Sequence, residues 1–273
     1  MEAETTEALR ILARVLTRER RKFVLIGATV PQIVLDFRET SGPGSRETRD
    51  VDAVAEVDSW EDFNRLREHL VREGFRPGRV AHELWFNDEV RIDLIPFGPG
   101  LIKDNKIVWP DGYTMNVSGL AEALECSRDQ EVAPDLTLPV VTIPGLVLMK
   151  VVAYMDRPEE RARDVVDMLY CFERYEATGE SSRRFDCTGT QVDGEEITFE
   201  LAGAFLIGMD VAVLAKPNSL EVVQKFIAGI PDEFARPVSQ ILSEEKRYVD
   251  TEKRRATLYR LFRVFSAGVN QTG

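Results

Sequence analysis

Residues 48–57 read Thr48-Arg49-Asp50-Val51-Asp52-Ala53-Val54-Ala55-Glu56-Val57, and their alternation decides the fold. At period two, Val51, Ala53, Ala55 and Val57 form an apolar face and Asp50, Asp52, Val54 and Glu56 form the other, which predicts a strand. Side chains two residues apart on a strand share a face, about 6–7 Å from one another. Asp50 and Asp52 therefore repel unless water or a cation neutralises them, and hard oxygen ligands of this kind suit Mg²⁺. A third aspartate, Asp93, stands in Val90-Arg91-Ile92-Asp93-Leu94-Ile95-Pro96-Phe97, where Ile92 and Leu94 share one face and Arg91 and Asp93 the other. Two readings stay open. In one, Asp93 forms a salt bridge to Arg91 or Arg49. In the other it joins Asp50 and Asp52 in a three-carboxylate metal site for phosphoryl or nucleotidyl transfer. There Asp50 and Asp52 hold a metal on a triphosphate, while Asp93 helps hold a second and orients or deprotonates the attacking hydroxyl.

Upstream of this strand, residues 5–20 predict an amphipathic helix and Phe23-Val24-Leu25-Ile26 a short buried strand. Gly27 ends that strand, and Ala28 to Phe37 reads as helical with Pro31 in its first turn. The turn Leu25-Ile26-Gly27-Ala28-Thr29 thus sets a glycine where a strand meets a helix start. Backbone N–H groups there favour phosphate, and Thr29 adds a hydroxyl donor. The same arrangement also serves as a plain connection.

Downstream, residues 38–49 read as a polar loop, and 60–73 as a helix capped by Asp58 or Ser59 and closed by Gly74. Glu83–Phe86 and Glu89–Ile95 read as strands joined at Asn87-Asp88, and Pro96–Gly100 as a loop. A strand pair is expected around 106–109 and 113–117, a short helix over 119–126, and a last strand over Val140–Ile143. From Pro144 the periodicity is helical, over 144–154, 158–175, 196–215, 218–229 and 232–267, the last kinked at Pro237, with a loop over 178–190. The expected fold class is α/β (α+β): an α/β unit over 1–143, then a helical unit over 144–273.

Composition narrows the function. With 273 residues, 44% hydrophobic and 30% charged, the chain is globular, and its net charge of -12 repels nucleic acid except at a local basic patch. Three dispersed cysteines, Cys126, Cys171 and Cys187, fit reduced thiols and give no zinc pattern. His69 and His82 are too few for a histidine-rich metal site. The acidic start Met1-Glu2-Ala3-Glu4 is neither signal nor transit peptide, and no apolar run approaches the roughly 18–20 residues of a membrane span. The expectation is a cytoplasmic protein with no membrane partner. The one locally basic segment holds Lys246, Arg247, Lys253, Arg254, Arg255, Arg260 and Arg263. It reads either as a solvated helix face or as an RNA contact.

Lys150 lies among Leu146, Val147, Met149, Val151 and Val152 and must snorkel or find a partner. Asp164 and Asp167, three residues apart on the next helix, are neighbours on one face. Lys150 or Arg157 pairs with them across the two helices, or Lys150 meets a triphosphate as a point charge and Asp164 orients it.

Taken together these residues resemble the DNA polymerase β-like nucleotidyltransferase superfamily, and more narrowly the AbiEii-type nucleotidyltransferase toxins of bacterial type IV toxin–antitoxin systems. The resemblance rests on Leu25–Thr29, on Arg46–Asp52, on Arg91–Gly98, and on Lys150 with Arg157, Arg163, Asp164 and Asp167, within residues 20–177. It implies a nucleotidyltransferase-like mixed sheet flanked by helices, and two Mg²⁺ (Mn²⁺ as the alternate ion) on Asp50, Asp52 and Asp93. It also implies an NTP over Gly27, Thr29 and Lys150, and transfer of NMP to an acceptor hydroxyl, with an RNA or tRNA end as acceptor and a cognate antitoxin as partner. One departure stands out: the usual Gly-Gly-Ser or Gly-Gly-Thr turn is Gly27-Ala28-Thr29 here, which suits either an active enzyme or a catalytically impaired binding or regulatory protein on the same fold.

Overall fold

The computed structural model describes residues 2–35, 50–177, 183–192, 194–245 and 251–271. The chain forms two compact units, Met1–Thr142 and Ile143–Gly273. The first runs α1 (Ala3–Arg18), β1 (Phe23–Ile26), a 3₁₀ turn (Gly27–Thr29), α2 (Val30–Val34), β2 (Asp50–Glu56), α3 (Trp60–Arg72), β3 (Phe75–Pro77), β4 (Glu83–Phe86), β5 (Val90–Phe97), β6 (Ile102–Lys103), β7 (Lys106–Val108), β8 (Thr114–Asn116), α4 (Leu120–Glu125), β9 (Arg128–Ala133) and β10 (Leu136–Val140).

Seven of these strands make one mixed sheet in the order β3-β4-β5-β2-β1-β10-β9. Only β2/β5 and β1/β10 pair in parallel. The centre of the sheet is the apolar alternation expected from sequence: Val51, Ala53, Ile92, Leu94, Val24 and Leu25 are at most 1% exposed. α1 buries Leu9, Leu12, Val15 and Leu16 and packs on α3 and β5. Ser59 caps α3, its hydroxyl accepting from the Asp62 amide at 3.2 Å. Asn87 and Asp88 turn β4 into β5 with φ of +51° and +58°, the pair of positive values a tight two-residue hairpin requires.

Three sequence expectations shift. β5 runs on through Pro96 to Phe97 where a loop was expected. The Leu94 amide donates to the His82 carbonyl, so the nitrogen two residues on faces the same way, past the end of β4, and a proline there forfeits no ladder bond. The strand expected over 140–143 is Leu136–Val140, and it forms a hairpin with β9, which periodicity missed because β9 is an edge strand with a single buried residue. The expected helix from Ala28 begins as a 3₁₀ turn, Pro31 lies in the first turn of α2, and positions 36–49 fall outside the described residues.

The second unit holds α5 (Ile143–Asp156), α6 (Ala162–Arg174), α7 (Arg183–Cys187), the hairpin β11 (Gln191–Val192) and β12 (Glu195–Glu196), α8 (Phe199–Leu214), α9 (Pro217–Ala228), α10 (Arg236–Glu245) and α11 (Thr251–Asn270). α8 crosses α11 with the backbones touching: a Cβ on Gly208 would meet the Phe265 carbonyl oxygen at 2.2 Å. The expected helix over 232–267 is α10 and α11, so Pro237 lies in a first turn, where its missing N–H costs nothing, rather than at a kink. The expected loop over 178–190 contains α7, pinned by buried Arg184, which donates to the carbonyls of Phe172 and Glu173.

Candidate active site

The parallel register of β2 and β5 sets Asp50 beside Arg91 and Asp52 beside Asp93. The two central aspartates therefore share a sheet face on neighbouring strands, about 4.8 Å apart along the hydrogen-bonding direction. On the other side of β2, Ile26 of β1 lies opposite Asp52, so the turn that follows Ile26 meets the same carboxylate. Gly27 has φ of +82°, and a Cβ built on it would fall 1.9 Å from Asp52 Oδ2. The glycine of the turn is thus required twice, once by its backbone and once by the carboxylate seated against it. Gly27→Ala is expected to cost about 2–3 kcal/mol, from left-handed strain and overpacking together, and to push Asp52 out of line with Asp93; urea unfolding measures the first and crystallography the second. Ala28, the departure from the usual turn, is exposed, so its methyl points away from this contact.

Asp50 and Asp93 meet through an arginine. Arg91 Nη2 lies 3.1 Å from Asp50 Oδ2 and 3.4 Å from Asp93 Oδ2. Asp50 is 51% exposed and Asp93 only 19%. The salt-bridge reading of Asp93 with Arg91 thus has its geometry in the structure, while Arg49 lies outside the described residues. Among the described residues no three His, Cys, Asp or Glu side chains are grouped to hold a metal ion, and the Arg91 guanidinium bridges two of the three aspartates. The donor set itself suits a hard cation: oxygen ligands from adjacent strands, with Asp52 held in a cradle that a Cβ would fill.

Burial raises the Asp93 carboxyl above the usual aspartate range; Arg91 and His82 oppose this, and Asp50 and Glu83 add to it. A carboxyl raised by burial stabilises the fold fully only below its unfolded value, near pH 3.9, and the benefit is lost as pH rises through the elevated value. Ionised Asp93 therefore burdens the fold at neutral pH. Asp93→Asn should raise Tm at pH 7 by about 2–4 °C, the shift of roughly 1 kcal/mol at this size. The advantage should vanish as pH falls toward 4, and thermal melts across pH 4–8 check it. Thr29 is 4% exposed and its Oγ1 is buried without a hydrogen-bond partner among the described residues. An unsatisfied buried hydroxyl costs about 1–3 kcal/mol, which a bound acceptor atom would relieve.

In the second unit Lys150 donates to Asp164 at 2.9 Å and Asp167 at 2.7 Å. Burial alone would lower the lysine, but Asp167 and then Asp164 raise it above its ordinary value. The helix-to-helix ion pair expected from sequence is therefore present, with both aspartates engaged. Arg157 contacts Glu160 at 3.3 Å. The basic residues of α11 are largely paired: Arg254 with Glu245 and Glu173, Arg260 and Arg263 with Glu195. That is the solvated, ion-paired face rather than an open phosphate surface; Lys246 and Arg247 lie outside the described residues.

Sequence reasoning missed Glu83, which β4/β5 pairing sets directly opposite Asp93. The signal was available: Glu83 and Trp85 alternate with Leu84 and Phe86 on a strand next to Asp93.

No protein-family model matches the chain, and no curated protein matches it. Among solved structures it is similar to the lincosamide antibiotic adenylyltransferase LnuA bound to lincomycin, at 15% identity over 59% of this chain and 94% of that one, TM-score 0.36. It is similar also to an antigenic nucleotidyltransferase-like protein from Paracoccidioides brasiliensis, at 16% identity over 61% and 74%, TM-score 0.38. A third is a tRNA nucleotidyltransferase complexed with a primer tRNA and an incoming ATP analog, at 12% over 95% and 62%, TM-score 0.37. By name the three are an adenylyltransferase, a nucleotidyltransferase-like protein and a tRNA nucleotidyltransferase.

Proposed function

We propose that the chain is a Mg²⁺-dependent nucleotidyltransferase that moves NMP from an NTP to an acceptor hydroxyl. The observation that carries the reading is the register of Asp52 with Asp93, with the Asp52 carboxylate seated on Gly27 of the turn before α2. Asp50, Asp52 and Asp93 would hold the metal, Asp50 and Asp93 giving up Arg91 to do so. Bound Mg²⁺ (or Mn²⁺) would neutralise the triphosphate and lower the barrier to in-line attack. The residues of the chain supply the rest. Asp93, set between Asp52 and Glu83 by the strand register, would orient the attacking hydroxyl or take its proton. The Gly27–Thr29 turn would meet the phosphates, the Thr29 hydroxyl gaining a partner it does not have among the described residues. Lys150 and Asp164 were expected at the triphosphate as well, and that role stays a proposal alongside the ion pair they form. The acceptor we propose is an RNA end, tRNA included, and the role implied by the AbiEii resemblance is the toxin of a type IV pair held in check by an antitoxin.

A second reading has its own observation. Arg91 already neutralises Asp50 and Asp93, as it would in a binding or regulatory descendant with no metal. Incubation with labelled NTPs, Mg²⁺ and total RNA separates the two. Label transfer, with a Tm that rises on adding Mg²⁺ and NTP, establishes the enzyme; an unchanged Tm and no transfer establish the other.

A further inference from the structure

The sheet face that carries the aspartates continues across β4 to β3, and it ends in a pocket. By register, Arg76 of β3 lies beside Trp85 of β4, Trp85 beside Arg91, and Arg91 beside Asp50. Two residues along, Glu83 lies beside Asp93 and Asp93 beside Asp52. Paired residues share a face, as do residues two apart, so these two rows form one surface. At its β3–β4 end a cavity of about 510 Å³ is lined by Arg76, Pro77, Gly78, Arg79, Glu83 and Trp85.

The lining is chemically specific. Trp85 donates its indole N–H to Glu83 Oε1 at 2.6 Å, and Glu83 Oε2 accepts the Arg79 amide at 3.0 Å, so one carboxylate fixes both the indole and the β3–β4 connection that carries Arg79. Arg76 is paired with Asp88 at 2.6 Å. The exposed Arg79 guanidinium has no ion-pair partner among the described residues. A held aromatic plane beside a spare guanidinium is a recognition pair for a base and its phosphate.

We propose that this pocket binds a nucleotide unit of the acceptor, its base against Trp85 and its phosphate on Arg79. The assignment rests on the nucleotidyl-transfer reading, and it deepens that reading by giving the two substrates opposite sides of Asp93. The NTP lies on the β1–β2 side, over Asp52 and the Gly27 turn, and the acceptor enters from the β4 side. Asp93, between Asp52 and Glu83 in the register, faces both.

The probes are a fluorescein-labelled single-stranded RNA hexamer, read by anisotropy in EDTA so that no transfer occurs, and AMP as competitor. Wild type is expected to bind the hexamer. Arg79→Glu and Trp85→Leu should each weaken it at least about tenfold, the scale of one lost phosphate contact or one lost stack. Arg79→Glu should also flatten the log–log salt dependence by about 0.7. Its side chain is exposed, so it keeps the fold if Trp85→Leu does not; melts and circular dichroism verify this. AMP carries both a base and a phosphate, so its displacement of the hexamer supports the pocket, and its failure to displace at saturating concentration overturns it. No binding by wild type, or wild-type affinity in both variants, overturns it. A parallel melt with Mg²⁺ and NTP keeps the two claims apart. A shift in wild type with unchanged hexamer binding in the variants sinks the pocket alone. No shift in wild type sinks the centre, and the acceptor assignment with it.

Discussion

Lys150→Met should cost about 3–5 kcal/mol of stability, read by urea unfolding. The lysine is 14% exposed, Asp164 7% and Asp167 27%. A surface pair in this geometry would contribute under about 1 kcal/mol. This one differs because removing the ammonium strands two carboxylates, one of them buried, with Arg161 at 3.7 Å from Asp164. The cost is that of uncompensated buried charge rather than the net worth of the bridge, so Lys150→Met with Asp164→Leu and Asp167→Leu should recover most of it. The pH dependence follows from the sign of the shift. A lysine raised by its partners contributes fully below its unfolded value, near pH 10.4, and loses the contribution as pH climbs through the folded one. The gap between wild type and Lys150→Met should close in alkali as the lysine loses its proton, and in acid as the stranded carboxylates take one up. A loss below 1 kcal/mol would show that the pair is a surface feature.

How far sequence alone reached depended on where each strand sits. Asp50–Glu56 and Val90–Phe97 were readable because each presents one apolar face and one polar face to different surroundings, and period two records that difference. β9 has little apolar face to record, and β3 and β6 are only three and two residues long, too short for any period. The adjacency of Asp52 and Asp93 was an inference from parity; only the order β4-β5-β2-β1 makes it a contact. Gly27 shows the limit more sharply. As a residue it read either as a phosphate turn or as a plain connection, yet the local demand on it comes from Asp52, 25 positions later in the chain, through a register that no local pattern encodes. Arg91 was visible as a partner for Asp93, but its bridging of Asp50 too depends on the parallel pairing of β2 with β5. Long-range register is what separates a list of carboxylates from a site.

Asp52→Asn tests the site most directly. Nucleotidyl transfer should fall by at least about 100-fold, mainly in kcat, the scale on which one preorganised charge contact is lost from a reaction centre. The change keeps the shape of the side chain, so the Gly27 cradle stays filled and Tm should move little. The Mg²⁺-dependent rise in Tm expected of wild type should disappear with the charge, because an amide is a poor ligand for a hard cation beside the carboxylate of Asp93. Asp50→Asn makes the control. Asp50 is half exposed and already spends its charge on Arg91, so its loss should weaken Mg²⁺ more than it slows transfer at saturating metal. The ordering matters more than either value. If Asp50→Asn abolishes transfer while Asp52→Asn preserves it, the reacting atoms do not lie between β2 and β5 over the Gly27 turn. If neither variant loses transfer, the aspartates are structural, and Arg91 rather than a metal is their natural counter-ion.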